Sequence, residues 1–184
     1  NVMVSNPDWA KSLGAYKRAL RWWILEPSGD AFLHLAILID ASAVAGDGTL
    51  LGSLKNDLFE LVHSQEAFCG HFAKPILAFE TPIGWFGRIA APRSGPHAGA
   101  IDIKKGGIFP IVHGVRSLAL EYRLLETNTI GRVQALTGRG PFSDEFTADL
   151  IEAFDFMSML RLRQQFNALD RGESYGNFIH VNTL

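Results

Sequence analysis

Apolar residues recur along the chain at helical spacing for most of its length. Trp9, Leu13, Tyr16, Leu20 and Trp23 share one side of a predicted helix that Asn6 would cap, Pro7 would open and Pro27 would stop. Ser28 is placed to cap a second helix. Its residues from Ala31 to Ile39 are apolar on nearly every side, so it should lie at the centre of a bundle and end at Asp40. Leu51, Leu54, Leu58, Leu61 and Val62 mark a third helix, and Phe68, Phe72, Ile76 and Phe79 a fourth that Pro75 should bend.

Residues 81–99 have no helical period and are rich in proline and glycine. They read as a long loop with room for one short β-hairpin near residues 85–104, pairing "FGRIA" with "AIDIK". From Gly107 the stripe Ile111, Val115, Leu118, Tyr122 and Leu125 predicts another helix, and "TNTIGRVQALTGRG" a short one closed by glycines. Ser143 should cap the last helix, with Asp144 and Glu145 in its first turn. Phe146, Leu150, Phe154, Met157, Leu160 and Leu169 then line one side, with Phe154 in the core, as far as Gly172. The prediction is an all-α bundle of about six or seven helices, forming a single domain over residues 1–184.

Composition narrows the class. The chain has 184 residues, 47% of them hydrophobic, enough for one packed core. Its longest apolar stretch, Ala31 to Ile39, is far shorter than the roughly 20 residues of a membrane span. Cys69 is the only cysteine, so no intramolecular disulfide can form, and the first residues lack a secretory signal; a cytoplasmic location is expected. The chain opens on Asn1, which suggests the C-terminal part of a longer protein. A net charge of −2 argues against a general nucleic-acid binder. That total conceals a basic segment: from Arg88 to Arg123 there are six basic residues against Asp102 and Glu121.

Inside this segment, "DIKKGG" combines two lysines, two glycines and a helix start whose free N–H groups favour anions. A solvated turn would carry the same residues. Other clusters have simpler structural readings. His63, Cys69 and His71 have poor spacing for zinc, since residues two apart on a helix do not face each other. Nothing places a base beside Cys69. Asp40 and Asp47 flank one turn as paired carboxylates might, but capping explains them more simply, because Asp47 precedes a helix start. Arg161 and Arg163 read as a solvated face, or as one face and one partner contact.

The succession "ILIDASAVAGD", "PIGWFGR", "IDIKKGGIFPIVHGVRSLALEYRL", "TNTIGRVQAL" and "LIEAFDFMSMLRLRQQ" resembles the nucleotidyltransferase substrate-binding domain. That domain occurs at the C-terminus of bacterial signalling proteins joining a nucleotidyltransferase palm to CBS pairs or a cyclic-nucleotide-binding module. The resemblance runs from about Asn6 to the end of the chain. The family is similar to the protein-PII uridylyltransferases, which also carry a Lys–Gly–Gly stretch entering a helix. This implies a helical bundle in a nucleotidyl-transfer context, with Lys104, Lys105, Gly106 and Gly107 contacting nucleotide or phosphate, and Arg88 and Arg116 as second-tier candidates. In one departure, Ser42 stands where the family usually carries an arginine, which puts an anion contact at that turn in doubt.

Transferases of this superfamily hold their metals on an Asp-x-Asp or Asp-x-Glu pair after a Gly-Ser. Here Gly52-Ser53 lies in a predicted helix, and no aspartate has an acid two residues later. No catalytic residue and no metal ligand is therefore expected in this chain, and alone it should be inactive. Magnesium and a nucleoside triphosphate are implied for the full-length protein. The implied partners are an upstream palm domain and a protein acceptor, with no nucleic acid or membrane, and with oligomer formation left open. The alternative is a regulatory protein-interaction module that couples an upstream sensor to the transferase.

Overall fold

A computed structural model of the chain describes residues 6–79, 82–84 and 89–183. Among them are seven α-helices and one two-stranded antiparallel sheet, so the chain is mostly helical, as its periodicity predicts. The chain divides into two compact units: residues up to Phe72 with Arg116–Gly140, and Ala73–Val115 with the residues from Pro141 onward. No described helix is long and apolar enough to cross a membrane.

The first unit is built on α1 (Leu13–Leu25), α2 (Gly29–Asp40), α3 (Gly48–His63) and α6 (Thr129–Arg139), with most of α4 (Phe68–Ala73) and the second half of α5 (Phe109–Glu121). Besides α1, three of these helices begin at a side-chain cap. Ser28 accepts a hydrogen bond from the Ala31 amide, Asp47 from the Thr49 amide and Asn128 from the Gly131 amide. The first helix starts later than its apolar spacing suggests. Asn6 closes only a 3₁₀ turn over Pro7–Trp9, and Ser12, whose hydroxyl accepts from the Ala15 amide, caps α1 instead.

Leu20, Leu35, Leu58 and Phe72 lie at the centre of this unit with no exposed surface. Phe72 stacks on Phe68 at 6.3 Å between ring centroids and meets the edge of Phe32 at 5.8 Å. The second helix is not enclosed on every side as predicted: Leu33 is 58% exposed, so α2 buries one face through Ala31, Leu35, Leu38 and Ile39. Pro75 does change the fourth helix. It cannot donate a backbone hydrogen bond, and the chain continues as a 3₁₀ turn over Lys74–Ala78.

The stripe read along α5 fails near its end. Helix α5 stops at Glu121, and Arg123 takes a left-handed conformation at φ 55°. The Leu124 amide donates to Ala119 O and that of Arg123 to Leu120 O, closing the helix in a Schellman motif. This turn buries Leu120 and Leu124 and leaves Tyr122 and Leu125 exposed.

The second unit holds a five-residue π-helical turn (Lys104–Ile108), the first half of α5, α7 (Asp144–Asp170) and the sheet. Ser143 caps α7 by accepting from the Phe146 amide, and Gly172, at φ 67°, ends it, both as predicted. The predicted stripe is only half-buried, Phe154 included, while Phe146 and Leu169 are exposed.

The hairpin requires a larger correction. Strand β1 (Ala100–Asp102) forms within "AIDIK", but it pairs with β2 (Phe178–His180), with Ile101 opposite Ile179. Of "FGRIA", residues 86–88 lie outside the described residues, and Ile89 makes a single bridge to Ile83. Burial decides the pairing. Ile101, Ile103 and Ile179 form one cluster, packed against Met157 and Leu160 of α7, and this long-range match cannot be read from local turn residues.

Emptying the Phe72 site should cost about 3–5 kcal/mol of unfolding free energy, as for other large buried aromatics. The half-buried Phe154 should cost clearly less on truncation to alanine. Urea unfolding of Phe72→Ala and Phe154→Ala checks this, and equal losses would contradict the burial described.

Candidate functional site

Two polar constellations stand out, one in each unit. In the first unit the α2 helix ends on Asp40. Its carboxylate accepts from Arg116 Nε at 3.2 Å and Nη2 at 2.5 Å, and from Arg132 Nη1 at 2.7 Å. Arg132 is only 1% exposed; it also donates to the carbonyls of Glu126 and Ile39. Lys55 of α3, also buried, donates to the same Ile39 carbonyl at 3.0 Å. Cations thus satisfy a carbonyl at the negative end of the α2 dipole, and one carboxylate gathers two guanidinium groups.

The cluster has more positive than negative charge. Burial and the Arg132 charge lower the Lys55 pKa, while Asp40 raises it. A buried ammonium of this kind costs stability while charged. That cost is lost as pH rises from the depressed folded pKa toward the ordinary 10.5.

In the second unit, Asp102 sits just before the π-helical turn, and its Oδ1 accepts from the Lys104 amide at 3.1 Å and the Lys105 amide at 3.0 Å. The anion-favouring end of this helix therefore already holds a carboxylate from its own chain. Both lysine side chains are exposed, and the Lys105 ammonium lies over the Phe79 ring, 6.0 Å from its centroid. Gly106 and Gly107 are half-buried. A Cβ on Gly107 would collide with Met157 Sδ, so this glycine permits close packing of the turn on α7. The pair also lines an open cavity of about 380 Å³, whose other described walls are Pro82, Ile83, Ile89, Ile103 and apolar side chains of β1, α5 and α7.

The sequence candidates are therefore dispersed. Lys104, Lys105, Gly106 and Gly107 form one continuous turn. Arg116 belongs to the other unit and is engaged with Asp40, and Arg88 lies outside the described residues. Asp47 caps α3 as predicted, whereas Asp40 is an ion-pair partner and caps nothing. Arg161 is not merely solvated, since its Nε donates to Asn177 Oδ1 at 2.7 Å.

Cys69 lies in a separate cavity of about 360 Å³ with His63, Glu66, Glu121 and Arg123. Burial and the Glu121 charge push its thiol up to about 11, which suits a packing role better than a nucleophile. Among the described residues no three His, Cys, Asp or Glu side chains gather to hold a metal ion.

The sequence reading missed the Arg132 and Lys55 contributions. For Arg132 one signal was available: it lies four residues before Leu136, on the apolar side of α6, where a charge needs a buried partner.

Residues 66–184 match the family described as "Putative nucleotidyltransferase substrate binding domain". The chain belongs to this family. The family segment contains the lysine turn, the whole lining of the cavity beside it, Arg116 and Arg132, whereas Asp40 and Lys55 precede it. No curated protein and no solved structure matches the chain.

Arg116 and Arg132, inside the matched segment, therefore pair with a carboxylate outside it. Asp40→Ala would leave Arg132 and Lys55 buried without their counter-charge and should cost about 3–5 kcal/mol. Arg132→Met should cost less, because Asp40 keeps Arg116. Thermal or urea unfolding of the two variants checks the order, and a costlier Arg132→Met would contradict it.

Proposed function

We propose that this domain holds a phosphate-bearing substrate for a uridylyltransferase-like nucleotidyltransferase, with Lys104 and Lys105 as the charged contacts and the Gly106 and Gly107 amides beside them. The observation that carries this reading is the pair of exposed lysines at the head of a glycine-bearing π-helical turn, inside the family segment and next to a cavity. π-Helical turns of this kind are frequent at functional sites. Because Asp102 already occupies the Lys104 and Lys105 amides, a phosphate would be held mainly by the ammonium groups, and binding to this chain alone should be weak and salt-dependent.

The chemistry of transfer belongs to a palm domain in this reading. Magnesium and the nucleoside triphosphate would meet their carboxylates there, and this chain contributes positioning, with a protein as acceptor. Arg116 contributes only indirectly, by fixing the second half of α5 to Asp40.

A second reading, a regulatory interaction module, is favoured by the outer face of α7. Met159, Leu162 and Phe166 are all exposed there, with Asp155 and Arg163 beside them.

Calorimetric titration of a magnesium nucleoside triphosphate into the chain, and into the protein carrying its palm, separates the two. Lys104→Ala/Lys105→Ala should weaken binding about tenfold and flatten its salt dependence, given up to about 1 kcal/mol per exposed charge contact. Unchanged affinity and salt dependence would remove the lysines from the site and favour the interaction module.

A further inference from the structure

The cavity beside the lysine turn is lined by Ile101, Ile103, Ile111, Phe156, Met157 and Leu160 among others, and by the Gly106–Gly107 backbone. Among the described residues that line it, none carries a charged or hydrogen-bonding side chain. At about 380 Å³ it has the size of a small-molecule site. It is more than twice the roughly 150 Å³ apolar cavity that accepts benzene. Among the described lining residues, the exposed ones are apolar as well: Ile83, Ile89 and Phe156.

A nucleobase fits this lining poorly. Its ring nitrogens and exocyclic groups would give up their hydrogen bonds to water and meet only hydrocarbon, at a cost of several kcal/mol by transfer measurements. A hydrocarbon group loses nothing polar and gains from leaving water. A charge next to the lining in the chain selects further. Lys104 follows the lining residue Ile103 and precedes the glycine pair by two positions; it is exposed, and among the described residues no acceptor is recorded for its ammonium.

We propose that this cavity takes the hydrocarbon part of an amphipathic anion whose carboxylate or phosphate is held by Lys104. The inference rests on the substrate-binding reading of the domain and names the apolar part of the substrate it would hold. It also divides the labour of the turn: the glycine backbone forms a wall for the tail, and the lysine meets the head group.

The test is calorimetric titration of the 184-residue chain with decanoate and decyl phosphate as anionic probes and decyltrimethylammonium as the cationic one. At least one anion should bind, and the cation should bind at least about fivefold more weakly, as expected for one exposed charge contact. Lys104→Glu should reverse that preference. Ile111→Trp should occupy part of the cavity and weaken binding. Ile83→Asp changes only an exposed rim position, so it keeps the test independent of folding; it too should weaken the anions at least about fivefold.

Absence of binding by both anions overturns the proposal. So does binding that ignores the sign of the charge, or binding that neither Ile111→Trp nor Ile83→Asp weakens. The titration contains no nucleotide. If a nucleoside triphosphate binds at the lysines and the alkyl anions do not, this inference alone fails; if the alkyl anions bind and the triphosphate does not, the nucleotide reading alone fails.

Discussion

A single carboxylate at the end of α2 constrains the first unit more than any other group. Asp40 reaches residues 76 and 92 positions further along the chain, Arg116 and Arg132, and so ties α2 to α5 and α6. Such contacts cost loop entropy to form, yet leaving Arg132 buried without a counter-charge would cost several kcal/mol more. Lys55 adds α3 to the same point through the Ile39 carbonyl. The arrangement acts through exclusion: a shift of α6 by one turn would leave a guanidinium in an apolar environment, so alternative packings of the same helices are disfavoured.

The second unit has no comparable ion-pair cluster among its described residues and relies on packing. A glycine at position 107 lets the π-helical turn rest on Met157, and the isoleucines of β1 and β2 close against α7. The same packing leaves the cavity open beside the lysines. The shape of the candidate site thus follows from backbone approach and aliphatic side chains, with charge added at the turn.

Local chemistry was the legible part of the sequence. Ser28, Asp47, Ser143 and Gly172 mark helix ends because each acts on amides or torsions within a few residues, and Pro75 acts equally close at hand. The Lys104–Gly107 stretch was recognisable as a helix start for the same reason. Features that depend on distant residues were not legible. The partner of β1 lies nearly eighty positions away, the counter-ion of Arg132 is in another helix, and the helix opened by Lys104 is capped by its own Asp102 in a π-helical geometry that no spacing rule indicates. Tyr122 and Leu125 were misplaced because a periodic stripe assumes a continuing helix, and a left-handed arginine ends this one.

The central claim is that the Lys104–Gly107 turn is where this domain meets its ligand. Amide chemical-shift mapping of the isotope-labelled chain, titrated with a magnesium nucleoside triphosphate, tests it most directly. The account predicts that the largest perturbations fall on the amides of Lys104, Lys105, Gly106 and Gly107, with neighbours across the turn following. Largest perturbations along the outer face of α7 or at the Asp40 cluster, with the turn unmoved, would contradict it.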